Sequence, residues 1–164
     1  MAIGVGTIGW GKIVEALHAP CLAGMEECEL IATCDPREER LAHAKSEYGC
    51  EGFTDVDAFL NHPDVQLVVA AVPNHLHGPM GVRALKADKH AVIEKPWSFS
   101  LSEADWMVQT AREKGLVVTT HQNRRWDPDY LAIRRILESG KMGKLLVLQT
   151  RSLAGPWRHA WAEM

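Results

Sequence analysis

The sequence predicts an α/β fold, a doubly wound parallel sheet, from the alternation of its elements, the character of one strand and the placement of its polar clusters. Short β-rich apolar runs alternate with segments of helical period along the chain. One run, residues 65–72 (VQLVVAAV), is almost continuously apolar, as in a strand buried on both faces of a parallel sheet. Glycines, charges or other polar residues follow the runs, and ligands of such sheets sit outside the carboxyl ends of the strands.

Residues 3–8 (IGVGTI) read as the first strand, followed by the turn Gly9-Trp10-Gly11 and a helix over 12–17. That helix is expected to stop near His18-Ala19-Pro20, because proline breaks the helical ladder. Residues 30–34 form the second strand, after which Asp35 can cap a helix with Pro36 in its first turn. In that helix Leu41, Ala44 and Tyr48 recur on one face, and Gly49 ends it. A short strand at 50–53 and a helix at 56–61 lead to the apolar strand 65–72, then a helix at 78–87. Residues 91–93 form a strand ending in Glu94-Lys95-Pro96, and Ser102-x-x-Asp105 has the form of a capping box opening a helix to 114, closed by Gly115. Residues 116–120 make the sixth strand, 128–139 a helix closed by Gly140, and 144–150 a last strand.

With 18 Lys and Arg against 21 Asp and Glu, the chain has no basic run, so nucleic acid and anionic membrane surfaces are not expected partners. The longest apolar run is far too short to span a bilayer, and residues 3–8 stand where a signal peptide would need charge. Cys21, Cys28, Cys34 and Cys50 form no Cys-x-x-Cys and suit reduced, half-buried thiols, so a cytoplasmic protein is expected.

The chemistry is sought after each strand. Gly4-x-Gly6-x-x-Gly9 matches a dinucleotide fingerprint literally, but its first two glycines fall inside a strand, where no helix start can receive a pyrophosphate. In the competing register Gly9, Trp10, Gly11, Lys12 and Ile13 lie at the turn itself, with Val14 where a third glycine is usual. A third match, from Gly6 to Gly11-Lys12-Ile13, mimics an NTPase phosphate loop but has Ile where a Ser or Thr must hold magnesium. Asp35 lies 26 positions after Gly9, close to where an acid accepts hydrogen bonds from an adenosine ribose, and its rival role is the helix cap. Arg37 leaves a 2′-phosphate, and so NADP, open beside a slightly preferred NAD. His75-x-His77 lacks a third metal ligand at a telling spacing, so no metal is expected. Lys95, at a strand end between Glu94 and Pro96, can polarise a hydroxyl or carbonyl. Of Arg124 and Arg125, more often a solvated pair, one is a candidate ligand group. Most of Trp10, Trp97, Trp106, Trp126, Trp157 and Trp161 are expected to be packing residues.

Val5-Gly6-Thr7-Ile8-Gly9-Trp10-Gly11, His18-Ala19-Pro20, Pro73-Asn74-x-x-His77, Glu94-Lys95-Pro96 and Asn123-Arg124-Arg125-Trp126-Asp127 together resemble the glucose–fructose oxidoreductase / inositol dehydrogenase / MocA family. The chain is most similar to its scyllo-inositol dehydrogenase-like branch, and the resemblance runs from Met1 to about Arg151. It implies a Rossmann domain over residues 1–122, with 123–164 as the connecting helix and first strand of a truncated α+β domain for substrate and oligomerisation.

The implied activity is hydride transfer between NAD or NADP and a sugar or cyclitol. Lys95 becomes the catalytic lysine beside substrate and nicotinamide, with a Lys95–Pro96 bond expected to be cis. The pyrophosphate is expected on Trp10 to Ile13, and Pro73, Asn74 and His77 line the dinucleotide cleft. Glu94, Asn123, Arg124 and Trp126 join the cofactor set from the remaining motifs. The family's other catalytic pair, an Asp and a His, belongs to the second domain and has no counterpart before Met164. These residues alone are therefore expected to bind the cofactor but to catalyse poorly, and the rival expectation is a nonenzymatic dinucleotide-binding module or a truncated remnant. The strand at 144–150 would expose Leu145 to Leu148, so it is expected to pair with a second copy or to pack on its own body.

Overall fold

The computed structural model describes residues 2–151; Trp157 and Trp161, read above as packing residues, lie outside them. Residues up to Gln122 form one compact unit, and those from Asn123 form another.

The first unit is a six-stranded parallel sheet of β1 (Ile3–Ile8), β2 (Cys28–Cys34), β3 (Glu51–Phe53), β4 (Leu67–Ala70), β5 (His90–Ile93) and β6 (Val118–Thr120). Its order, β3-β2-β1-β4-β5-β6, is that of a doubly wound fold, two three-stranded halves meeting where β1 pairs with β4. The predicted fold class is the observed one.

The connections are helical: α1 (residues 12–23), α2 (Glu38–Tyr48), α3 (Val56–Leu60), α4 (His77–Lys86, entered through a 3₁₀ turn at Asn74–Leu76) and α5 (Leu101–Lys114). One core gathers Ile8, Val68 and Ile93 of the sheet with Phe59, Leu85 and Met107 of the helices; a second gathers Trp10, Val14, Ala19, Leu30 and Ala44. Burying a side chain such as Phe59 or Met107 contributes about 1.5–3 kcal/mol. The strand glycines belong to this packing. A Cβ on Gly6 would stand 2.6 Å from Cζ of Phe59, and one on Gly4 only 1.9 Å from the Asp64 carbonyl oxygen. Both lie inside β1, as the sequence reading placed them.

Several local expectations are corrected. Helix α1 does not stop at Pro20 but runs through it to Ala23. Val14–His18 forms a π turn, in which the Ala19 N–H donates to the Val14 carbonyl. Proline lacks an N–H and crowds the carbonyl one α-turn back, and the wider turn ahead of it relieves both problems. Asp35 is not the cap of α2. That position belongs to Arg37, and Gly49, at φ 71°, closes the helix with its N–H on the Lys45 carbonyl. Helix α5 is opened by Ser100 rather than Ser102: the Ser100 hydroxyl accepts from the Glu103 N–H, while the Ser102 hydroxyl lies 2.7 Å from it.

In the second unit, a 3₁₀ turn at Asn123–Trp126 precedes α6 (Pro128–Glu138). The strand expected over 144–150 is not formed. These residues have no regular structure, and Leu145, Leu146, Val147 and Leu148 are exposed. A strand exists through the hydrogen-bond ladder it shares with a neighbour, and no strand occurs among the described residues of this unit.

Candidate functional site

The carboxyl ends of β1 and β2 form one half of the site. At Gly9 the chain turns with φ 95°, and a Cβ there would meet the Ala71 carbonyl oxygen at 2.3 Å, so the turn lies tight against the end of β4. Its N–H donates to the Cys34 carbonyl at 2.7 Å. Trp10 donates its N–H to Oδ2 of Asp35 at 2.8 Å and buries its indole completely, with Nε1 donating to Nδ1 of His43. Trp10 is thus a packing residue whose amide is already engaged. A Cβ on Gly11 would meet only the Arg40 side chain, at 3.7 Å, so the backbone there faces open space. The first amides of α1, at Lys12 and Ile13, have no acceptor within the helix. Open backbone at a helix start, directly after β1, fits a pyrophosphate.

Asp35, buried at the end of β2, is held on three sides. Its Oδ1 accepts from the Arg37 N–H at 3.0 Å, and its Oδ2 accepts from the Trp10 N–H and from Nη1 of Arg40 at 3.2 Å. The Arg37 guanidinium is half exposed, with Nε 3.9 Å from Oδ1. The carboxylate therefore ties the glycine turn to the start of α2 and has two arginines beside it.

The other half lies past β4, β5 and β6. Pro73 and Asn74 are exposed after β4, whereas His77 is buried, its Nε2 on the Val72 carbonyl at 2.8 Å and its Nδ1 on the Pro96 carbonyl at 2.6 Å. His77 ties together the segments that follow β4 and β5. The Lys95–Pro96 bond is cis, and the Lys95 side chain is exposed, with no hydrogen bond or ion pair among the described residues.

Glu94, immediately before Lys95, is buried. Its Oε1 accepts from Nε2 of His18 at 2.8 Å and from Nδ1 of His121 at 2.7 Å, and its Oε2 faces the Lys95 N–H at 3.2 Å. Burial alone would raise the Glu94 pKa, but the two imidazole hydrogen bonds and their charges outweigh it and bring it down to about 2. His18 comes from the π turn of α1, Glu94 follows β5 and His121 follows β6. Their nearest donor atoms lie within 4.8 Å of one another, a ligand set of the type that holds a divalent transition ion.

Neither histidine was among the candidate residues read from the sequence. Both stand close to motifs that carry the expected chemistry, His18 in His18-Ala19-Pro20 and His121 two residues ahead of Asn123. The usable signal was position: His121 directly follows a strand, as Glu94 does. In the second unit, Arg124 pairs with Asp127 at 2.9 Å, and Arg124 and Trp126 are exposed. The structure thus groups Gly9 to Ile13 with Asp35 and Arg37, and Glu94 and Lys95 with two unforeseen histidines.

Comparison with known proteins agrees with this geometry. Residues 3–122 match the family described as oxidoreductase family, NAD-binding Rossmann fold, GFO_IDH_MocA. Myo-inositol 2-dehydrogenase of Thermotoga maritima is 31% identical over 149 residues, 90% of this chain and 44% of the relative. The NADP(+)-linked scyllo-inositol 2-dehydrogenase IolW of Bacillus subtilis is 29% identical over 85% of this chain and 38% of its own length. A crystal structure of a 3-ketoreductase from Actinomadura kijaniata, in complex with NADP and TDP-benzene, superimposes with a TM-score of 0.80 at 28% identity, covering 85% of this chain and 43% of that one. The chain spans less than half the length of these relatives. With its glycine turn, its switch-point topology and a family match over most of its length, the chain belongs to the Gfo/Idh/MocA oxidoreductase family and carries that family's NAD(P)-binding Rossmann domain.

Proposed function

We propose that this chain is the cofactor-binding part of an NAD(P)-dependent oxidoreductase acting on a sugar or cyclitol, with hydride passing between the nicotinamide and a hydroxyl-bearing carbon. The observation that carries the reading is the placement of an open glycine turn and an exposed Lys95, unpaired among the described residues, at the carboxyl ends of the two halves of one sheet. The backbone at Gly11, Lys12 and Ile13 holds the pyrophosphate, and Asp35 and Arg37 face the adenosine ribose. Pro73, Asn74 and His77 complete the cofactor set within this unit. The bound nicotinamide supplies or accepts the hydride. Lys95, beside the nicotinamide, holds the substrate oxygen and moves its proton, the role a positioned ammonium fills in general acid–base chemistry.

NAD(H) is the proposed preference, because a carboxylate at position 35 repels a 2′-phosphate. One observation favours NADP(H) as the second reading: Arg40 touches Asp35, and the half-exposed Arg37 guanidinium beside it can receive a phosphate. We also place the protein in the cytoplasm, a reading supported by its four free thiols.

The test is a titration of the chain with NADH and NADPH, followed by nicotinamide and tryptophan fluorescence, with polyols and aldoses screened for turnover on the same sample. Saturable binding with NADH preferred is the expected result. Turnover extends the proposal to the whole reaction; binding without turnover assigns these residues the cofactor half alone. No binding of either dinucleotide overturns the proposal.

A further inference from the structure

We propose that His18, Glu94 and His121 form a buried positioning set that holds Lys95 against the nicotinamide end of the cofactor. The inference rests on the role proposed above for Lys95.

Three features of the geometry point to it. Glu94 precedes Lys95 in the chain, and its Oε2 accepts the Lys95 N–H, so the carboxylate is bonded to the main chain that carries the ammonium. A carboxylate can only accept, so His18 donates from Nε2 and His121 from Nδ1, both to Oε1. That leaves the carboxylate clamped from three directions, while the lysine it precedes is exposed and, among the described residues, unpaired. Finally, Glu94 and His121 follow β5 and β6, strands of the second half of the sheet. Asp35 marks the adenosine half at β1 and β2, and in a doubly wound fold the dinucleotide crosses the switch point, so its nicotinamide lies over β4, β5 and β6.

A buried carboxylate that accepts two imidazole donors has a plainer role as a staple between α1, β5 and β6. The two roles differ in what they do to the two ends of the cofactor. A staple acts on the fold and weakens binding of the whole dinucleotide and of its adenosine part alike. A positioning set for Lys95 acts on the nicotinamide end alone.

The experiment therefore compares NADH with ADP-ribose, which lacks the nicotinamide, on the wild-type chain and on Glu94→Gln, Glu94→Asp, His121→Gln and Lys95→Ala. Losing one hydrogen bond to a charged group should weaken NADH binding by about tenfold in Glu94→Gln. ADP-ribose affinity should change by less than about twofold, as expected of a site away from the altered group. Glu94→Asp, which keeps the charge, should recover part of the loss. In the Lys95→Ala background the Glu94→Gln effect should vanish, because Glu94 acts through Lys95. Nitrogen-correlated NMR should find a proton on Nδ1 of His121 and on Nε2 of His18 in the wild type.

Equal weakening of both ligands, or additivity of Glu94→Gln and Lys95→Ala, overturns the proposal. So does tight zinc uptake that is lost in Glu94→Gln and His121→Gln, which would make the set a metal site. If Glu94→Gln does not fold, the partly exposed His121 carries the same comparison. Failure of the wild type to bind either ligand defeats the cofactor reading and this proposal with it; a normal wild-type affinity with no NADH-specific loss defeats this proposal alone.

Discussion

Replacing Asp35 with Asn tests whether this buried carboxylate anchors the glycine turn. Asp35 accepts at 2.8 Å from the Trp10 N–H, at 3.0 Å from the Arg37 N–H and at 3.2 Å from Arg40. Asparagine keeps one acceptor and turns an NH₂ toward at least one of those donors. The variant loses a hydrogen bond to a charged group and leaves a donor facing a donor, a combined cost of about 2–4 kcal/mol. Arg37 and Arg40 are partly exposed, so water relieves the arginine side more easily than the Trp10 amide, which lies beneath a fully buried indole. For a chain of this size a 3 kcal/mol loss lowers Tm by about 6–12 °C. Urea unfolding followed by circular dichroism and tryptophan fluorescence measures it directly. A loss below about 1 kcal/mol, the scale of an ordinary neutral hydrogen bond, would show that the turn holds without these contacts and would refute the reasoning. The NAD/NADP affinity ratio of the same protein tests the ribose role: if Asp35 discriminates through its charge, the ratio moves toward NADP.

Three further outcomes are expected. Gly9→Ala places a Cβ at φ 95° and 2.3 Å from the Ala71 carbonyl, so it should cost at least about 2 kcal/mol and abolish dinucleotide binding; an unchanged urea midpoint would contradict the tight approach of β1 to β4. Glu94 has a folded pKa of about 2 against an ordinary 4.5, so it contributes stability above pH 4.5 that is lost as pH falls from 4.5 to 2. Glu94→Gln should flatten that part of the stability profile, and an acid limb identical to wild type in urea midpoints measured across this range would count against the histidine clamp. Burial, with the charges of Asp55 and Asp35, pushes the Cys34 thiol up to about 11, and burial raises Cys50 as well. Iodoacetamide should therefore label exposed Cys21 long before either, and mass mapping that finds Cys34 modified as fast as Cys21 would show that the second strand opens in the native state.

What the sequence made legible is what local rules and period determine. The apolar run at 65–72 reads as a strand covered on both faces, and its middle residues, Leu67–Ala70, form β4 at the centre of the sheet. Gly9, with no side chain, sits at the one point of the glycine turn where φ is positive. Local rules failed where a distant partner decides. Asp35 followed by Pro36 reads as a helix cap, but the Trp10 N–H, 25 residues earlier, competes for the same oxygen as Arg40 and draws the carboxylate under the glycine turn. The last apolar run reads as a strand by composition, but composition supplies no ladder partner. His18, Glu94 and His121 are separated by 76 and 27 residues, so no spacing rule links them; only the parallel topology, which sends β5 and β6 to the same edge as α1, brings them together.

The π turn shows how one of these failures belongs to the site. An α-helix turns about 100° per residue, so adding one residue to a turn rotates everything on one side of it relative to the other by about that angle. In α1 this lets two faces be satisfied at once. Val14 and Ala19 pack into the core with Trp10 and Leu30, while His18, one residue before Ala19, turns to the carboxyl end of β5 and reaches Glu94. A regular helix packed through Val14 would be in a different register by His18, and Pro20 disfavours such a helix by removing an N–H from the ladder. The same proline that reads as a stop signal thus helps set the register that delivers an imidazole to the site. The apparent disagreement between sequence rule and structure falls at the place where the chain departs from ideal geometry and brings His18 to Glu94.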